Sequence, residues 1–188
     1  MPTKVKISKD KILETAFEVA KEQGIENISN RELAKRMNSS IRPIYYQFKN
    51  VDELNQVLYT KIEKYFYDFL LDNMEEEIPP YKQVGINYIK FAKKEKKLFQ
   101  TLFMNNNLKL NNLTSIDNKD YLKLLKLIKQ NTKINDKDIK SFHTKMWIFT
   151  HGIATLVANE TVKLNDKEIN ELLTQEFQAL MLYEEKNK

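Results

Sequence analysis

An all-α chain is predicted by three features of this sequence. Only 3 Gly and 4 Pro punctuate its 188 residues, too few for the tight turns of a strand-rich domain. Apolar residues recur at three- and four-residue spacing in one stretch after another. Residues with short polar side chains stand before several of those stretches, where helix starts need them.

Ser8 precedes the first stretch, in which Ile12, Leu13, Ala16, Phe17, Val19 and Ala20 share a face, and Gly24 is its stop. Ser29-Asn30-Arg31-Glu32 reads as a capping box, with the Ser hydroxyl and the Glu carboxylate each satisfying an orphan amide, and opens a short helix to about Met37. Asn38-Ser39-Ser40 is a polar break. Ser40 then reads as the cap of a third short helix over Ile41 to Phe48, with Pro43 tolerated in its first turn. Asn50 followed by Glu53 signals a fourth helix, which carries Leu54, Val57, Leu58, Ile62, Tyr65, Phe66, Phe69 and Leu70 to about residue 73. An acidic run into Pro79-Pro80 ends it.

Beyond Tyr81, Val84, Tyr88, Phe91 and Ala92 outline one helix, and Leu98, Leu102 and Phe103 a shorter one. Asn105 to Asn118 is Asn-rich and reads as a loop or poorly ordered segment. Leu122 to Ile128 predicts another helix. Asn135-Asp136 opens a long apolar one through Ile139, Phe142, Met146, Phe149, Ile153, Leu156 and Val157, and Asp166 starts the last, before a charged tail from Glu184 to Lys188. Residues 1–55 are expected to form one domain, joined through the fourth helix to a second over 56–188.

Composition excludes several classes of function. With 41% hydrophobic residues the chain has material for a core, and with no Cys it has no disulfide framework, thiolate metal site or thiol nucleophile. The N-terminus MPTKVKISKDK lacks the apolar centre of a signal peptide, and no apolar run reaches the roughly 18–20 residues that span a bilayer. A soluble cytoplasmic protein without a membrane partner is expected. There is no Gly-rich phosphate loop, no Ser-His-Asp set and no paired carboxylates in an apolar setting, so an enzyme is not expected, nor a cofactor.

The net charge of +5 is spread along the chain. The concentration that matters lies between residues 28 and 50, where Arg31, Lys35, Arg36, Arg42 and Lys49 face only Glu32. That stretch holds the two short helices and the polar turn, a helix-turn-helix layout. A short second helix can lie across the major groove with its first side chains at base edges and its flanks on phosphates. Arg42 is the expected base reader. Arg31 suits a guanine edge or a phosphate; Ser29, Tyr45, Gln47 and Lys49 suit the backbone; Tyr46 suits a thymine methyl or a phosphate; Ser40 is a further candidate DNA contact. Ile44, Phe48 and Leu33 read as core, Tyr45 has packing as its alternative reading, and Lys35 and Arg36 read as solvated helix charges.

The stretch SNRELAKRMNSSIRPIYYQFKNVDEL resembles the TetR/AcrR family of transcriptional regulators over roughly residues 8 to 55: a capped Ser, the Leu33-Ala34 pair, a turn, and Tyr45-Tyr46-Gln47-Phe48 before Lys49-Asn50. Two positions depart from the family pattern. Asn38 stands where a turn glycine is frequent, and Val51 where a phosphate-binding Lys is usual, a contact Lys49 is placed to replace. Further on, Trp147, His151 and Gly152 in KMWIFTHGIATL resemble the Trp-His-Gly subgroup of that family.

The resemblance implies an N-terminal three-helix helix-turn-helix domain, a C-terminal helical ligand-binding and dimerisation domain, and a homodimer paired through the last two helices. Phe149, Ile153, Leu156, Leu172, Leu173, Phe177 and Leu180 are expected on that face. It also implies double-stranded operator DNA as partner, palindromic by symmetry, and a repressor released by a small-molecule effector. Tyr88, Phe91, Phe103, Tyr121, Trp147 and His151 are the expected effector contacts. His143, Trp147 and His151 stand four residues apart on one helix face, but two histidines without a third ligand favour buried hydrogen-bonded rings over a metal site. Gly152 is expected to permit close helix packing. The alternative reading is a DNA-organising or partner-controlled protein on the same fold, without a small effector.

Overall fold

The computed structural model describes residues 7–72, 74–104 and 119–186. Among them every regular element is helical: α1 (Lys9–Gln23), a 3-10 turn (Ile25–Asn27), α2 (Asn30–Arg36), α3 (Arg42–Gln47), α4 (Val51–Asp72), α5 (Pro80–Lys94), α6 (Lys96–Phe103), α7 (Lys119–Asn131), α8 (Asp136–Ala158) and α9 (Asp166–Lys186). The predicted Asn105–Asn118 loop lies outside the described residues. The last helix runs on to Lys186, through most of the expected charged tail.

The chain falls into two compact units. The first takes the described residues up to Tyr65 together with 95–104, and the second takes those from Phe66 to Lys94 and from Lys119 onward. The chain passes between them within α4 and again at Lys94–Glu95.

In the first unit, Ser8 Oγ accepts from Lys11 N at 3.2 Å and starts α1, whose Ile12, Ala16, Phe17, Val19 and Ala20 are buried. Gly24 ends the helix at φ 101, a conformation that only glycine adopts cheaply. α6 belongs to this unit because it packs on α1 and the 3-10 turn. The buried Glu95 fixes its start. Its carboxylate accepts from Lys21 Nζ of α1 at 3.0 Å and from Tyr65 OH of α4 at 3.0 Å, and the Lys21 ammonium is held above its ordinary pKa chiefly by that bond to Glu95.

In the second unit, Tyr81, Ile128, Ile134, Ile139, Phe142 and Met146 form a core on which Phe177, Leu180 and Met181 of α9 pack. α9 starts with a reciprocal cap: Glu168 N donates to Asn165 Oδ1 at 3.0 Å, and Asn165 N to the Glu168 carboxylate at 2.8 Å. A buried amide relay also runs here. Gln83 Nε2 donates to Asn87 Oδ1 at 2.9 Å, and Asn87 Nδ2 donates to the carbonyl of Leu70 at 3.0 Å. That carbonyl is in the last turn of α4, where it has no partner within its own helix.

The close packing expected of Gly152 falls elsewhere. Gly152 is exposed, and a Cβ there would meet no atom of the protomer within 4 Å. Gly85 is the tight position: its Cβ would lie 3.3 Å from Leu173 Cδ1, bringing α5 against α9.

Candidate nucleic-acid interface

The helix-turn-helix begins at Ser29, whose hydroxyl accepts from Glu32 N at 3.2 Å. Only half of the expected capping box forms. The Glu32 carboxylate turns instead to Arg36 Nε at 2.9 Å, one helical turn on, and Arg36 also reaches Glu22 of α1 at 2.8 Å. Glu22 first and Glu32 second push the Arg36 guanidinium further above its already high pKa. Arg36 is therefore a tie between α1 and α2, where the sequence suggested a solvated charge.

The turn follows from backbone geometry. Asn38 sits at φ 49, Asn38 N donates to Lys35 O at 3.1 Å, and Ser39 N reaches back to Ala34 O at 2.9 Å. These two bonds close a Schellman motif, which needs a left-handed residue after the helix and takes Gly first and Asn next. Asn38 is thus the substitution for glycine that the turn tolerates. Asn38→Gly should leave the thermal unfolding midpoint unchanged or slightly raised, whereas Asn38→Val should cost about 1–2 kcal/mol; equal midpoints for the two variants would contradict this reading.

α3 does not start as expected. Its N-cap is Ile41, with no side-chain capping bond, and Ser40 precedes the cap with its hydroxyl exposed. Pro43 in the first turn supplies the preset φ and needs no amide partner. Ile44 and Phe48 are buried and anchor one face, and Phe48 N closes the helix on Ile44 O at 2.9 Å. On the other face Tyr46 is 82% exposed and Tyr45 56%. Neither ring belongs to the protomer's core.

Arg31, Lys35, Arg42 and Lys49 are exposed and make no ion pair among the described residues. Ser29 is exposed and Gln47 half-buried. Asn50 caps α4 by accepting from Glu53 N at 2.8 Å, and Glu53 in turn accepts from Lys49 N at 2.8 Å. The Lys49 amide is consumed by that cap, so only its ammonium is free for an anion. Val51 is half-buried in the first turn of α4. α3 thus has two buried anchors on one face and two exposed tyrosines on the other, with exposed cations around it that make no ion pair among the described residues.

The residues expected to meet an effector divide between the units. Phe103 is in the first unit, its ring tilted against Phe99 at 5.0 Å; the other five are in the second. There Tyr88 OH and His151 Nδ1 are 2.9 Å apart, and Trp147 stacks on the His151 ring at 5.2 Å. Burial holds His151 below its ordinary pKa and Tyr88 above it. Phe91 is fully buried between Phe66 and Phe69, at 5.1 and 5.3 Å. Tyr121 goes elsewhere: it packs on His143 at 5.5 Å, whose Nδ1 lies 2.8 Å from Tyr81 OH. Both histidines are hydrogen-bonded rings, and among the described residues no three metal-ligating side chains gather.

Sequence reasoning missed three features: the Lys21–Glu95–Tyr65 cluster, the Gln83–Asn87 relay, and a contact of Lys9 Nζ with the Phe48 ring, 5.0 Å from its centroid. Only the relay had a local signal, two amides one helical turn apart on an otherwise apolar face.

α2, the turn and α3 form a helix-turn-helix. Residues 12–56 match the family of bacterial regulatory proteins, tetR family, so the N-terminal domain is a TetR-family domain. The whole chain has the fold of TetR-family regulators. A TetR family protein from Vibrio parahaemolyticus superposes with a TM-score of 0.69 at 15% identity, covering 91% of this chain and 97% of that one. A TetR-family transcriptional regulator from Haemophilus influenzae RD gives 0.57 at 17%, covering 90% and 94%. A TetR-like transcriptional regulator from Rhodococcus sp. RHA1 gives 0.59 at 14%, covering 95% and 96%. No curated protein matches the chain. No helix among the described residues is long and apolar enough to cross a membrane.

Proposed function

We propose that the chain is a homodimeric transcriptional repressor that binds a palindromic operator through α3 and leaves it when a small molecule enters the second unit. The observation that carries the DNA half is the outer face of α3, where Arg42, Tyr45 and Tyr46 are exposed above the Ile44 and Phe48 anchors. Arg42, in the first turn, reads a base edge; Arg31 meets a guanine edge or a phosphate; Ser29, Tyr45, Gln47 and Lys49 hold the backbone, Tyr46 a thymine methyl or a phosphate, and Ser40 also contacts the DNA.

The dimer half rests on apolar surface that the protomer does not use. Of the residues expected on that face, Ile153 and Leu173 are buried in the protomer's own core, and Phe177 packs on Phe142 at 5.5 Å. Ile148 at 60% and Leu156 remain exposed on α8 around Gly152, as does Leu182 at 58% on α9. Pairing with a second copy would bury them. The effector reading rests on Tyr88, Trp147 and His151, a neutral hydrogen-bonding group among aromatic rings. Phe91 lies next to it through Phe66, a residue of α4. Since α4 runs unbroken into the first unit, an effector that binds one packing of these rings more tightly would shift the DNA-binding state through it.

Sedimentation of the protein with a duplex from its own upstream region tests the assembly: two protomers per duplex are expected, and a single bound protomer would contradict it. Arg42→Ala should weaken operator binding by about 1–3 kcal/mol and relax preference at one position per half-site. Lys49→Ala should weaken all duplexes alike and flatten the salt dependence. Titrations on operator and scrambled duplexes separate the two; unchanged specificity in a folded Arg42→Ala protein would remove Arg42 as reader.

A further inference from the structure

We infer that Lys9 is a further DNA-backbone contact, a phosphate-directed cation contributed by α1 from outside the helix-turn-helix. The inference rests on the DNA-binding reading above and extends its surface beyond the residues assigned there.

Four lysines among the described residues lie over aromatic rings: Lys9 on Phe48, Lys21 on Tyr65, Lys61 on Phe17 and Lys145 on Tyr183. Three of these ammonium groups are also held by a carboxylate, Lys21 by Glu95, Lys61 by Glu14 and Lys145 by Glu184. Their charge is spent inside the fold. Lys9 has the ring and no ion pair among the described residues, and it is exposed.

The ring it uses is not an arbitrary one. Phe48 is the C-cap of α3, 2% exposed and fixed by its backbone bond to Ile44. The Lys9 ammonium stands over that ring, which tethers the side chain while leaving the residue exposed and its charge without a counter-ion among the described residues. It is held, moreover, at the end of the recognition helix, where the next residue in the chain is the exposed and unpaired Lys49. Two point charges at that end suit phosphate oxygens, which position a protein on a duplex without reading its sequence.

The test uses the full chain with Lys9→Met, which keeps an unbranched side chain over the ring and removes the charge, and Lys9→Arg, which keeps both. Affinities for the operator and for a random-sequence duplex are measured by fluorescence anisotropy across a salt series, with melting temperatures alongside. In Lys9→Met the slope of log K against log salt should become shallower by about 0.9 per protomer, with both duplexes weakened by the same factor and the melting temperature little changed; Lys9→Arg should restore the slope. An unaltered slope in Lys9→Met overturns the inference while leaving the DNA-binding reading intact, as does a loss confined to the operator. Absence of salt-sensitive DNA binding by the unsubstituted protein overturns both.

Discussion

Phe142→Ala is expected to lower the unfolding free energy by about 3–5 kcal/mol. Phe142 is fully buried in the core of the second unit, its ring 5.5 Å from Phe177 and nearly perpendicular to it, with Tyr81 at 6.5 Å on another side. It thus joins α8 to α9 and α5 at once. Truncation removes the transfer free energy of a ring and leaves a cavity among side chains from three helices that cannot all collapse into it. Trp147, the one tryptophan of the chain, lies on the same helix, so its fluorescence in a urea titration reports this unit directly. A loss below about 1 kcal/mol would mean the ring is not packed as described.

The second large effect is a pH dependence centred on His143. Burial pushes this imidazole down to about 4, and the groups facing it, Tyr81 and Tyr121, are themselves held neutral because burial raises both phenols. Tyr81 OH and His143 Nδ1 share a hydrogen bond across 2.8 Å; a second proton on the ring would bury a charge with no anion beside it. The folded pKa is below the unfolded value of about 6.5, so the unfolded chain binds the extra proton first. The stabilisation is complete above about pH 6.5 and is lost as pH falls toward 4. At pH 4.5 the loss should be about 2–3 kcal/mol relative to pH 7. His151, also depressed by burial, adds in the same direction. Urea titrations at both pH values, on the unsubstituted protein and on His143→Asn, isolate the effect; the same pH dependence in both would contradict it.

Local chemistry was legible in the sequence where a residue's partner lies within one helical turn. Ser8, Ser29 and Asn50 cap the helices assigned to them, and Asn38 lies in the turn where a left-handed residue is required. Ser40 shows how that reasoning fails: the right residue type one position early leaves Ile41 as an uncapped start, because Pro43 already fixes the first turn. Glu32 fails differently. Its spacing from Ser29 fits a capping box, but a guanidinium four residues on, shared with Glu22, outcompetes the Ser29 amide.

What the sequence hid depends on distance along the chain. Glu95 stands in a charged run that reads as solvated surface, and only folding brings Lys21 and Tyr65 to it. Likewise Tyr121 shares the aromatic character of Tyr88 and Trp147, yet packs on His143, since which ring meets which is set by helix packing. In the same way, Ile153 and Leu173 have the spacing of an outward apolar face and are consumed by the protomer, while Ile148 and Leu182 stay exposed.

The central claim is that α3 reads a specific, symmetric DNA sequence. Selection of bound duplexes from a random pool tests it most directly. A recovered palindrome with half-sites about one helical turn apart, its affinity lost in Arg42→Ala, is the predicted result. Steeply salt-dependent binding with no recovered motif would contradict the claim and favour a DNA-organising protein on the same fold.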